Sequence, residues 1–266
     1  MYWTDVAQKD FADAVRSKMF WALSGLMILF AAIGLYIPEA TGSDATVSDG
    51  VGVLSSVMGV FIPIVAIVVG YMSIVGERET GSVRMLLSLP LKRWEVLAGK
   101  LVGRAAVMVI PVLIGFAVAV PVALAVYGDL PGTEYTEFVT AVVLLGATFV
   151  TIAVGISGSV DSRGKALALV VGLYAILQFF WSLIPSGLYY LANGELPGQD
   201  PPTWVEAINQ IRPAEAALSV SEGLWNGIST SEPLVLQEWF AGVILLFWLA
   251  VPVLIGYLRF DRADIS

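Results

Sequence analysis

Six long runs of apolar residues set the main constraint on how this chain can fold. They cover residues 19–37, 53–75, 101–127, 138–160, 166–191 and 240–258. Each run is long enough for a helix that crosses the roughly 30 Å hydrocarbon core of a bilayer. Transmembrane β-strands would instead alternate polar and apolar residues over about ten positions, and the runs do not. The sequence therefore predicts an all-α integral membrane protein with six transmembrane helices, forming one transmembrane domain over residues 1–266.

The basic residues predict how these helices are oriented. Only 14% of the residues are charged, and thirteen of the fourteen Lys and Arg fall on one side of the six predicted spans. Arg212 alone falls on the other side. Because loops rich in Lys and Arg stay in the cytoplasm, we expect a multi-pass protein of the plasma membrane with both termini cytoplasmic.

The acidic residues favour the opposite side. The three predicted outer loops hold thirteen of the 22 Asp and Glu residues. Two interpretations stay open: the carboxylates keep the outer surface hydrated, as in a salt-loving organism, or they attract a cationic substrate or a metal ion.

Several catalytic chemistries are excluded by composition. The chain has no histidine and no cysteine. The segment Gly155-Ile156-Ser157-Gly158 matches the motif around the serine of rhomboid-like proteases, but that nucleophile needs a histidine base. We therefore interpret it as small residues that let helices approach closely. Gly164-Lys165 lacks the other residues of a phosphate-binding loop. We expect no catalytic, cofactor, metal or nucleic-acid site in this chain.

Three segments outside the spans have helical spacing. Residues 1–18 predict a cytoplasmic amphipathic helix. The outer loop 192–239 has turn residues and then a stretch, 203–225, that predicts amphipathic helices at the membrane interface, with Trp204, Trp225 and Trp239 as anchors. The inner loop 76–99 combines charges with apolar residues. It is typical either of a docking surface for a soluble partner or of a helix on the anionic inner leaflet.

The spans themselves hold almost no ionisable side chains. Lys100 and Arg104 lie at the start of the third span, where we expect them to extend towards the membrane surface. Ion-coupled carriers usually place an acid at mid-membrane, and none is present. This disfavours an ATP-independent carrier.

The inner loop resembles the first cytoplasmic loop of type 2 ABC transporter permeases. The shared pattern is Glu77-Arg78-Glu79-Thr80-Gly81, then Leu86-Leu87-Ser88-Leu89-Pro90, then Lys92-Arg93, and Gly99-Lys100 at the third span. In that family this loop contains the coupling helix that seats in the ATPase subunit. The resemblance implies an ATPase-coupling loop, 76–99, with contact residues Glu77, Arg78, Glu79, Gly81, Arg84, Leu86, Leu87, Pro90, Arg93 and Lys100.

The same resemblance implies the partners. We expect a permease subunit of an exporter that works as a homodimer or with a second permease, while a separate ABC ATPase binds ATP and Mg²⁺. The segment Asn209-Gln210-Ile211-Arg212-Pro213-Ala214-Glu215-Ala216 is similar to one in nitrous-oxide-reductase maturation permeases, although three residues here separate Asn209 from Pro213. The alternative is a membrane anchor or sensor that moves no solute.

Overall fold

The fold is a bundle of α-helices. The computed structural model describes residues 3–41, 46–80, 92–130, 132–198 and 200–262. For Glu39 and Thr41 it describes the backbone and not the side chain. A short π-helix, Ile176–Phe180, lies between α7 and α8. The α-helices are α1 (Trp3–Arg16), α2 (Lys18–Thr41), α3 (Val47–Gly70), α4 (Val75–Thr80), α5 (Arg93–Tyr127), α6 (Gly132–Ser159), α7 (Arg163–Ala175), α8 (Leu183–Asn193), α9 (Thr203–Gln210), α10 (Pro213–Asn226) and α11 (Glu238–Arg262).

Six segments are long and apolar enough to cross a membrane, in agreement with the six predicted runs. They are Lys18–Pro38, Val47–Thr80, Arg93–Tyr127, Gly132–Ser159, Arg163–Phe180 and Glu238–Arg262. The described residues form no strand, so the predicted all-α membrane fold is confirmed. Two segments are longer than expected. Val47–Thr80 has 34 residues because it includes the turn after α3 and the whole of α4. Arg93–Tyr127 is a single helix of 35 residues, about 50 Å at 1.5 Å per residue, and it exceeds the bilayer core.

The two ends of the bundle differ in charge. Contacts between segments that are distant in sequence show which helix ends lie together at each end of the bundle. At the end that we call the basic end, α1 and α4 lie beside the start of α5, the connection 160–162 and the last turn of α11. At the end that we call the acidic end, Ser48 donates a hydrogen bond to Glu134 at 2.7 Å, and Asn226 donates one to Glu137 at 3.0 Å.

Helix α6 lies at the centre of the bundle. In its most apolar stretch 67% of the residues are buried, against 22% for Arg163–Phe180 and for α11. Glycines bring its neighbours to backbone contact. A Cβ on Gly155 would lie 2.2 Å from the Pro252 carbonyl oxygen, and one on Gly256 would lie 2.5 Å from the Gly155 carbonyl oxygen. The expectation that Gly155-Ile156-Ser157-Gly158 permits close helix packing is therefore confirmed.

The fifth predicted span, 166–191, is interrupted. Its helix passes from α7 into the π-helix, turns at Trp181 and Ser182, and resumes as α8. Pro185 explains the break. It has no N–H to donate to the Trp181 carbonyl four residues earlier, and its ring would clash with that carbonyl. The Trp181 oxygen accepts instead from Ile184 N at 3.0 Å.

The long loop before α11 differs from the expectation of helices lying flat on the membrane. It forms two helices, α9 and α10, because Pro213 occupies the first turn of α10 and separates the two. The Trp248 indole donates to the Ile211 carbonyl oxygen at 2.8 Å. Trp248 lies about 15 Å along α11 from its start, while Gly223 contacts Glu238 in the first turn. Helix α10 therefore runs alongside the first half of α11.

Candidate functional site

The predicted coupling loop begins with α4, which is joined to α3 by the turn 71–74. The first turn of a helix leaves backbone N–H groups without intrahelical partners. Here the buried Ser157 side chain of α6 supplies an acceptor. Ile74 N and Val75 N both donate to Ser157 Oγ, each at 3.1 Å. The start of α4 is thus fixed to the centre of the bundle.

One face of α4 is held to α5 through a buried charge network. Glu77 is paired with the Lys100 ammonium, which also binds Asp10 Oδ1 of α1 at 2.9 Å. Asp10 Oδ2 lies 2.9 Å from Arg104 Nε. The Asp10 and Lys100 side chains are only 4% and 9% exposed. Lys100 and Arg104 thus both bind an acid on α1, because a buried charge is stable only when it is paired.

Close backbone packing makes this network possible. Helix α1 crosses α5 at Gly99 and Gly103, where an added Cβ would lie 2.7 Å from the Trp3 carbonyl oxygen and 2.9 Å from Asp10 Cβ. With no side chain at either position, Asp10 comes close enough to reach both Lys100 and Arg104.

A second ion pair holds α4 to α7. Glu79 Oε2 lies 2.8 Å from Arg163 Nε, and Glu79 Oε1 accepts from the Arg163 backbone N–H at 2.7 Å. The carboxylate thus also stabilises the first turn of α7, where a negative charge is favourable. Nearby, the hydrogen-bonded Lys165 ammonium holds the pKa of Asp161 below its usual range.

The third attachment is to α11. Arg78 and Arg93 both lie over the Phe260 ring, at 5.0 and 5.8 Å from its centroid. Arg78 also donates to the Val160 carbonyl oxygen at 3.0 Å, and Arg93 donates to the carbonyl oxygens of Phe260 and Asp261 at 2.7 and 2.6 Å. Phe260 is fully buried between these cations, an arrangement that favours cation–π attraction.

The structure therefore brings together half of the predicted coupling residues. Glu77, Arg78, Glu79, Arg93 and Lys100 all bind other parts of this chain. The remaining predicted residues, Gly81, Arg84, Leu86, Leu87 and Pro90, lie outside the described residues.

Sequence reasoning missed Asp10 and the role of Ser157. A signal for Asp10 was present, since it lies four residues after Val6 and four before Ala14, both buried on the same face of α1. An acid on the apolar face of an amphipathic helix predicts a buried cationic partner. Ser157 had no such signal, because the helix end that it binds is distant in sequence.

These features define a membrane subunit whose helices cross the bilayer and whose basic end carries a firmly attached α4. The chain matches the ABC-2 family transporter proteins over residues 4–265 and belongs to that family. It is 28% identical to the probable ABC transporter permease protein NosY of Stutzerimonas stutzeri over 270 residues, covering 97% of each chain. It is 29% identical to the protein of that name from Pseudomonas aeruginosa over 204 residues, covering 73% of each.

The family confirms the main functional expectation. The chain is the permease subunit of an ABC transporter and a multi-pass membrane protein, and membership implies an ABC ATPase partner. The family consists of transporter permeases and not of catalytic enzymes. The similarity expected to nitrous-oxide-reductase maturation permeases is confirmed by the two NosY relatives.

Proposed function

We propose that the basic end faces the cytoplasm and that residues 81–91 dock on the ABC ATPase. Support comes from the charge distribution, since Lys and Arg concentrate in loops that remain in the cytoplasm. Both termini are then cytoplasmic as well. The leucines of 81–91, together with Arg84, are typical of a short helix that seats in a groove of a partner. The ATPase binds and hydrolyses ATP with Mg²⁺, and this chain neither binds a cofactor nor catalyses a reaction.

The observation that carries this proposal is the attachment of α4 to four helices. It contacts α6 through Ser157, α5 through Glu77 and Lys100, and α7 through Glu79 and Arg163, while Arg78 binds beside Phe260 of α11. A displacement of 81–91 is therefore passed directly to four membrane helices. We infer that ATP-driven closure of the ATPases moves these helices, in a dimer of this chain or a pair with a second permease, and that the transporter is an exporter.

Under this proposal, the five described coupling residues hold helices of the permease together, and residues 81–91 make the contacts with the ATPase. Charge reversal at Glu79 or Arg93 would disturb packing within this chain, so it is a poor test of docking. Arg84, Leu86 and Leu87 provide a better one.

The test is co-purification of the permease with its ATPase in mild detergent. We expect Arg84→Glu combined with Leu86→Ala and Leu87→Ala to reduce the bound ATPase at least tenfold, since few side chains dominate the binding energy of an interface. The matched control is Lys9→Glu, a charge reversal at an exposed residue of α1, which should retain the ATPase.

A further variant separates docking from coupling. Glu79→Gln removes the ion pair with Arg163 but leaves 81–91 intact, so the ATPase should still bind while the permease no longer alters its rate of ATP hydrolysis. Undiminished co-purification with the triple variant would show that 81–91 is not the docking segment.

A further inference from the structure

A pocket of about 590 Å³ lies at the basic end, between α4, the connection 160–162, the start of α7 and the last turns of α11. Its charged lining residues are four bases and one acid, namely Arg78, Lys165, Arg259, Arg262 and Asp161. Asp161 is already paired with Lys165 at 2.8 Å. The three arginines form no salt bridge with a described residue. The pocket therefore has an excess of positive charge and suits an anion.

The position of the pocket along the helices provides independent evidence on the kind of anion. Glu238 begins α11 at the acidic end, and Arg259 lies about 31 Å further along the same helix at 1.5 Å per residue. In α6, Glu137 and Ser159 are about 33 Å apart on the same measure. The hydrocarbon core of a bilayer is about 30 Å thick. With the acidic ends of both helices at one membrane surface, the pocket lies at the other, at the level of the lipid phosphates.

An exposed apolar face of α11 continues from the pocket towards the middle of the bilayer. Ile255 and Leu258 are 48% and 44% exposed. They precede Arg259 and Arg262 by one helical turn each, and residues four apart share one face of a helix. A free anion would use only the arginines. A phospholipid would use both features, since its phosphate meets the cations while its acyl chains pack along the apolar face.

We propose that this pocket binds the headgroup of an anionic phospholipid, with Arg78, Arg259 and Arg262 around its phosphate. Arginines pair strongly with phosphate oxygens, and one phosphate accepts from several of them. Arg78 belongs to α4 and the other two belong to α11, so the bound lipid joins these helices close to the start of residues 81–91. Its place in the cytoplasmic leaflet and its effect on α4 rest on the proposed function, whereas binding itself requires neither the ATPase nor transport.

The test is native mass spectrometry of the purified permease in mild detergent, titrated with phosphatidylglycerol and, separately, with zwitterionic phosphatidylcholine. The wild-type chain should bind phosphatidylglycerol at concentrations at which it binds no phosphatidylcholine. Arg259→Gln combined with Arg262→Gln should weaken this binding at least tenfold, because each cation near a membrane surface strengthens attraction to an anionic lipid by about fivefold. Equimolar glycerol 3-phosphate, which has no acyl chains, should not displace the lipid.

The matched control is Arg16→Gln combined with Lys18→Gln. It removes two exposed cations that do not line the pocket, and it should bind phosphatidylglycerol like the wild type. The melting temperature of each variant is measured alongside. If the double arginine variant unfolds, Lys165→Gln replaces it, with an expected loss of about fivefold.

Equal binding of the two lipids, an equal loss in the control variant, or displacement by glycerol 3-phosphate would each overturn the proposal. A double arginine variant that keeps the lipid but loses the ATPase would show that the pocket contacts the ATPase and not a lipid. A permease that co-purifies with its ATPase but binds no anionic lipid would refute the pocket assignment and leave the proposed docking intact.

Discussion

The basic and acidic ends of the bundle handle charge in opposite ways. At the basic end, buried acids and bases from different helices are paired, so that Asp10 binds Lys100 and Arg104 across two helices. At the acidic end, carboxylates such as Glu222 and Glu232 face a cavity between α9, α10 and the start of α11, without a salt bridge to any described residue. Paired charges fix the position of a helix, whereas unpaired charges of one sign cost stability and attract counterions. We expect mutations at the two ends to change stability in opposite directions.

The largest effect should come from Asp10→Asn. The substitution removes the carboxylate that pairs with the Arg104 guanidinium and one of the two carboxylates that pair with the Lys100 ammonium. Breaking a buried pair costs about 3 kcal/mol. Thermal unfolding in detergent should show a strongly lowered melting temperature. The matched control is Asp13→Asn, since Asp13 is an exposed acid on the same helix. Equal stability of the two variants would mean that the Asp10 network does not hold α1.

A second comparison concerns glycines on the two halves of the bundle. Gly155→Ala would place a Cβ 2.2 Å from the backbone oxygen of Pro252, and such overpacking costs about 2 kcal/mol. At Gly242, near the acidic end, the nearest atom is Val220 Cγ2 at 4.0 Å. Gly242→Ala should therefore gain the helix propensity of alanine, up to about 1 kcal/mol. The two variants should shift the denaturation midpoint in opposite directions. A shift in the same direction would show that the bundle is not packed more tightly at Gly155 than at Gly242.

The smallest effect should be a gain in stability from Glu222→Gln. The pKa of Glu222 is raised in the folded protein, so its contribution to folding is present when it is protonated and is lost as the pH rises through that pKa. The variant should melt about 1 °C higher than the wild type near pH 7.5, and the difference should disappear towards about pH 4. Glu195→Gln should show no such pH-dependent difference. A destabilised Glu222→Gln at neutral pH would show that the carboxylate has a partner.

The transmembrane fold was predictable because membrane solvation acts on every residue of a span. Runs of about twenty apolar residues have few alternatives to a helix in a bilayer. The break in the fifth span was less accessible, since Pro185 lies in an apolar run and proline does not always interrupt such helices. The position of α10 depends on contacts with Trp248 and Glu238 of α11, which no local pattern contains.

The candidate site was predicted only in part for a similar reason. The sequence Glu77-Arg78-Glu79 shows where the charges lie along the chain, but it does not show which residues they bind. Their partners Lys100, Arg163 and Phe260 come from three other helices. The acidic cavity is formed by residues from 182 to 238, and the sequence shows their charge without showing that they surround a common space.

The contact between Gly155 and Gly256 also has a mechanical consequence. Helices that touch at the backbone cannot slide past one another without separating, so we expect α6 and α11 to move together. Ser157 belongs to the same turn of α6 as Gly155 and Gly158, and it holds the first turn of α4. With the first turn of α4 fixed to α6, we expect a push at Thr80 to reach α5 and α7 through the Glu77–Lys100 and Glu79–Arg163 ion pairs.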